Sequence, residues 1–164
     1  MIISPGKFWK SKAVNLLTAF VFLCSVSLYA QEDCVFDENA YFKFINAYSS
    51  ENTNSEILAD GRTLIVKRNN DVIKVEGGGC DHLGVAIELR TDRMYSEQHF
   101  LQETISLTIE FGDWLINARK LKESIESRDF QVIDGIYYFQ IDAITVFDAS
   151  YDNQGKINVD FYIN

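Results

Sequence analysis

Residues 144–163, ITVFDASYDNQGKINVDFYI, carry the strongest structural signal in the chain. Two runs of alternating apolar and polar residues flank Asn153-Gln154-Gly155. Strict alternation marks strands with one buried face, and such strands pair antiparallel. A three-residue loop with Gly155 in the left-handed conformation gives a type I turn plus a G1 bulge. This register sets Asp152 across from Lys156 and Tyr151 across from Ile157. Ala149 then faces Val159 and Phe147 faces Phe161, so the inner face is apolar throughout. On the outer face Asp148 falls opposite Asp160, a like-charge pair that destabilises when exposed and unpaired.

Working back from this hairpin, Ile136–Asp142 alternates with Tyr137, Phe139 and Ile141 on one face. Before it, Phe100, Leu107, Phe111, Trp114, Ala118, Leu121 and Ile125 keep helical period. Ser96 is placed to cap that helix and Glu97 suits its positive end. Gly112-Asp113 predicts a break, with Asp113 capping a second segment. Upstream, Thr63–Asn69, Val72–Glu76 and Gly84–Thr91 alternate as strands, with Asp60-Gly61 and Asn69-Asn70-Asp71 as turns. The run SSENTNSE, residues 49–56, reads as a polar loop. Asp37 to about Ser50 reads as a first helix, with Asp37 as cap and Tyr41, Phe44, Ile45 and Tyr48 on one face. The expected fold is a single α+β domain of order α-βββ-α(α)-βββ. Its antiparallel sheet has five or six strands, with helices on one face. Asp60-Gly61 and Asp134-Gly135 echo each other before a strand, but Asp-Gly turns are too common to establish a repeat.

Residues 1–30 read as an address. Lys7, Lys10 and Lys12 precede the apolar run Ala13–Ala30, and Gln31-Glu32-Asp33 follows. This is the pattern of a secretory signal peptide cut near Ala30. The run is interrupted by Asn15, Thr18, Ser25 and Ser27, which argues against an anchor of about 20 apolar residues. The expected product, residues 31–164, is periplasmic or secreted. It carries 12 basic and 24 acidic side chains, a net charge of −12 over 134 residues. Such a chain repels nucleic acid and anionic membranes and attracts basic partners. The full 164 residues are 47% hydrophobic and 24% charged, the ordinary globular range.

Cys34 and Cys80 remain after export, 46 positions apart. An even count in an oxidising compartment predicts a disulfide, worth about 4 kcal/mol by loop entropy before strain. The phrase Glu76-Gly77-Gly78-Gly79-Cys80-Asp81-His82-Leu83-Gly84 has two readings. It is a bulged connection pinned by Cys80, or a recognition loop using Asp81 and His82. No Gly-Lys-Ser/Thr follows, so it is not a P-loop. The two histidines, His82 and His99, lack metal-ligand spacing, and no cofactor or metal is expected.

Three functions follow in order. The first is a non-enzymatic exported binding protein, an inhibitor or immunity-type partner of a basic protein. Its contact residues would be Asp81, His82, Asp148 and Asp160, the last two forming a patch for a cationic side chain or Ca²⁺. The second is a cup for a small apolar ligand lined by Phe100, Phe111, Trp114, Tyr137 and Phe139. The third is a hydrolase using Cys80 or a serine near His82, for which no G-x-S-x-G motif is present. Ile144, Val146 and Tyr162 share the outer face with the acidic pair and predict a covering layer or a contact surface.

Overall fold

Turn chemistry sets the sheet. Asp134 and Gly135 both have positive φ (51° and 82°) and join Ile133 to Ile136 directly, which identifies a type I′ hairpin. Gly155, with φ 79°, closes the last hairpin, where Tyr151 pairs with Ile157, Ala149 with Val159 and Phe147 with Phe161. That is the register the alternation demanded. Asp60 accepts from the Arg62 and Thr63 N–H groups and from the Thr63 hydroxyl, and so holds the turn at Gly61.

The structure is a computed structural model, and it describes residues 38–78, 83–143 and 145–163. All of these fall in one compact unit, Val35–Asn164. Helix α1 spans Glu38–Glu51 and is followed by β1 Ser55–Ile57, β2 Thr63–Arg68, β3 Asp71–Gly77 and β4 Leu83–Arg90. Helices α2 Glu97–Phe111 and α3 Ala118–Ser127 lead into β5 Gln131–Ile133, β6 Ile136–Gln140, β7 Thr145–Tyr151 and β8 Lys156–Ile163. The fold is α+β with one antiparallel sheet of eight strands in the order β1-β2-β3-β4-β8-β7-β6-β5. Two strands more than the pattern predicted are present, β1 and β5. Each has three residues, too few for alternation to show.

The order is symmetric about the β4–β8 pair. Each half is a helical segment followed by a four-stranded meander, and the last strands of the two halves meet at the centre. The Asp-Gly echo falls at matching points, between β1 and β2 and between β5 and β6.

One face of the sheet buries Leu64, Val75, Val85, Ile87, Phe147, Val159 and Phe161 against Tyr41 and Ile45 of α1, Phe100 and Phe111 of α2, and Leu121 of α3. The Phe147 and Phe161 rings stack at 5.7 Å. The Tyr41 hydroxyl donates to the Arg62 and Val75 carbonyls, and burial holds its pKa well above the ordinary range. Tyr48, Arg68 and Glu110 tie α1, the end of β2 and α2 together. Arg68 donates to both Glu110 oxygens and to Tyr48, whose own hydroxyl reaches Glu110 at 2.5 Å.

The break at Gly112 forms for a spatial reason. A Cβ there would lie 2.6 Å from the Phe161 ring, so only glycine lets α2 end against the central strand. Asp113 does not cap the next helix. Asn117 does, accepting from the Lys120 N–H, because the intervening turn is spent burying Ile116 and seating Trp114 on Phe44 at 5.8 Å. No helix among the described residues is long and apolar enough to cross a membrane.

Candidate functional site

Every described helix contributes to the same core, so none of them lies over the opposite face of the sheet. Across the middle of that face, consecutive strands place Glu76, Ala86, Asp160, Asp148 and Tyr138 in one row. Beside it runs a second row of Gly84, Tyr162, Val146 and Gln140. Val146 and Tyr162 are therefore neighbours, as expected. β8 is a central strand, which the sequence left open. Ile144 lies outside the described residues.

The carboxylates on this face divide into two kinds. Glu56 pairs with Lys67 at 3.3 Å, Glu76 with Lys74 at 2.8 Å, and Glu88 with Lys156 at 2.7 Å and Arg90 at 2.6 Å. The Lys156 ammonium beside Glu88 holds that carboxyl below its usual range. Asp148 and Asp160 stand directly opposite each other, both half-buried. Among the described residues neither makes an ion pair or a hydrogen bond. Burial, then the charge of Asp160, pushes Asp148 up to about 6. Burial also raises Asp160, against the opposing pull of Lys156, whose ammonium sits on Glu88. Burial and the like charge across the strand therefore work against the ionised form of Asp148.

A hollow of about 220 Å³ opens beside Asp160, lined by Glu76, Gly77, Gly78, Gly84, Ala86 and Tyr162 among others. Its glycines are the two ends of the loop singled out in the sequence. Gly78 N–H donates to the Gly84 carbonyl at 2.6 Å, so the loop leaves and returns at the wall of this hollow. Asp81, His82 and Cys80 lie outside the described residues, as do Cys34, Asp37 and the whole segment 1–30. What the structure does bring together is the root of the Asp81-His82 loop and the Asp148–Asp160 pair.

No family model, curated protein or solved structure matches the chain. The geometry therefore carries the functional argument by itself.

The aromatic residues expected to line a cup are engaged with one another. Phe100 packs on Tyr137 and Tyr151, Phe139 on Phe130 and Phe147, and Trp114 on Tyr41 and Phe44. A cavity of about 370 Å³ lies elsewhere, where β5 stops short of the ends of β6 and β7, lined by Arg128, Phe130, Tyr138, Phe139, Thr145 and Val146 among others. Sequence reading missed it because it missed β5. The signal was available in Val132-Ile133-Asp134-Gly135-Ile136, an Asp-Gly turn with apolar residues on both sides. Among the described residues no group of three His, Cys, Asp or Glu side chains is placed to hold a metal.

Proposed function

We propose that the chain is an exported, non-enzymatic binding protein, an inhibitor or immunity-type partner of a basic exported protein. One observation carries this reading. Asp148 and Asp160 are half-buried and unpaired on a sheet face that no described helix covers, while the carboxylates around them have partners. A guanidinium or ammonium set between them would relieve the repulsion and gain charge-assisted hydrogen bonds of about 1.5–3 kcal/mol. Ala86, Val146, Tyr138 and Tyr162 surround the pair with apolar surface, as in the centre of an interface with a charged anchor. Asp81 and His82 complete the contact from the loop rooted at Gly78 and Gly84.

Removal of residues 1–30 and a Cys34–Cys80 disulfide belong to the same reading. Tyr41, seven residues after Cys34, packs on Gly77, three residues before Cys80. The bridge itself rests on the even number of cysteines left in an oxidising compartment.

The test is capture by residues 31–164 from the cell-envelope and secreted fractions, read by mass spectrometry. A basic protein should be retained, released at high salt, and lost when Asp148→Asn and Asp160→Asn are combined. Capture indifferent to salt and to both substitutions, or no capture, overturns the reading. The cavity at β5–β7 falls within the 300–1,000 Å³ typical of small-ligand sites and supports a second reading as a ligand-binding protein. A small mass co-purifying in native mass spectrometry would favour it.

A further inference from the structure

The acidic pair lies between two hollows. On the β4 side the hollow of about 220 Å³ is lined by Gly84, Ala86 and Tyr162, beside Asp160. A Cβ at Gly84 would lie 2.7 Å from the Phe161 carbonyl oxygen, so this position stays bare and the hollow stays open. On the β6 side the cavity of about 370 Å³ takes in Tyr138, Gln140 and Val146 from the same face, together with Phe130. Strand pairing puts these residues in two adjacent rows, Ala86-Asp160-Asp148-Tyr138 and Gly84-Tyr162-Val146-Gln140. Hollow, acidic pair and cavity therefore follow one another along a line that crosses the strands.

The spacing along that line is the spacing of an extended chain. From β4 to β6 there are three strand intervals of about 4.8 Å, about 14 Å in all, and the Asp148–Asp160 pair sits at the midpoint. An extended segment presents alternate side chains on one side about 6.7 Å apart, so residues four positions apart span about 13 Å. Three alternate side chains of one extended segment thus match the three places. The outer two meet the hollow and the cavity. The middle one meets two carboxylates that make no ion pair among the described residues.

We propose that this face seats an extended segment of another protein, lying across the strands, with arginine or lysine at its centre and an apolar side chain two residues before and two residues after it. The inference rests on the reading of the face as a contact for a basic protein and adds the form of that contact. The occupant is not a second copy of this chain. Of its 15 lysines and arginines only Lys43 has apolar residues at both of those positions, Tyr41 and Ile45, and both are buried in the core from helix α1. Charge sets the centre of the contact, and the two hollows set its spacing.

Titration of the purified protein with synthetic heptapeptides, followed by amide chemical shifts in NMR, tests this. The peptides can be varied while the protein's fold is left untouched. The first is serine throughout, except for arginine at its centre and leucine two positions to either side. It should bind and shift the amides of Ala86, Val146 and Tyr138. Moving both leucines next to the arginine should weaken binding about tenfold, because they then point to the opposite side of the extended chain. Ala86→Leu, which fills the first hollow, should weaken the first peptide and leave the second unchanged. Asp148→Asn combined with Asp160→Asn should abolish binding of both. No binding of the first peptide at millimolar concentration, equal binding of the two leucine arrangements, or indifference to Ala86→Leu overturns the proposal. Capture of a basic protein through Asp148 and Asp160 is read separately, so failure of the peptide series leaves that broader reading to its own test.

Discussion

Replacing Asp148 with asparagine should make the protein more stable at neutral pH. Raising a carboxyl from 3.8 to about 6 corresponds to about 3 kcal/mol against its ionised form. The group is only half-buried, and solvent screening brings this to about 1–2 kcal/mol. The sign follows from proton binding. An acid whose pKa is higher folded than unfolded holds its proton longer in the folded state, so protonation favours folding. The penalty is absent below about pH 4, grows between pH 4 and 6, and is complete above about pH 6. Asp60 and Glu88 act in the opposite sense, since hydrogen bonds hold both below the usual range. Their contribution is present above that range and lost as pH falls. The raw stability profile therefore mixes both, and the difference between Asp148→Asn and the wild type isolates the pair. Urea unfolding followed by circular dichroism from pH 3.5 to 8 would measure it. The variant should gain about 1–2 kcal/mol at pH 7, and the two proteins should converge near pH 4. A variant less stable than wild type at pH 7 would refute the unpaired-repulsion argument and point to a cation bound between the carboxylates.

Two further outcomes separate backbone conformation from space and test the proposed bridge. Gly155 and Gly61 both have positive φ, but a Cβ at Gly155 would lie 2.1 Å from the Thr91 carbonyl oxygen while one at Gly61 meets nothing. Gly61→Ala should therefore cost about 1 kcal/mol and Gly155→Ala about 3 kcal/mol or more by thermal unfolding. Thiol titration of denatured, unreduced residues 31–164 should find no free thiol, and Cys34→Ser should lower stability by up to about 4 kcal/mol. Two reactive thiols in the wild type would remove the disulfide.

Periodicity made the long elements legible. The register of the β7–β8 hairpin, and with it the Asp148–Asp160 pair, followed from the position of Gly155 and the need for one apolar face. Ser96 was recognisable as a cap because its side chain accepts from the His99 N–H in the ordinary capping geometry. Short elements escaped for the converse reason. Ser55–Ile57 and Gln131–Ile133 hold too few residues to show a period, and partners on β2 and β6 define them. Asn117 rather than Asp113 caps α3 because the seating of Trp114 and Ile116 sets the length of the turn, and both acid and amide are competent caps.

Local chemistry determined the strands, the turns and the acidic pair, because each depends on residues a few positions apart. Tertiary structure alone decided that β4 and β8 lie at the centre, that the two halves match, and that the Asp81-His82 loop is rooted beside Asp160. It also decided that Glu88 meets Lys156 while the Asp148 and Asp160 side chains have no partner among the described residues. These facts depend on pairing between strands more than sixty positions apart, such as Ala86 with Asp160, and alternation within one strand carries no information about which distant strand lies beside it.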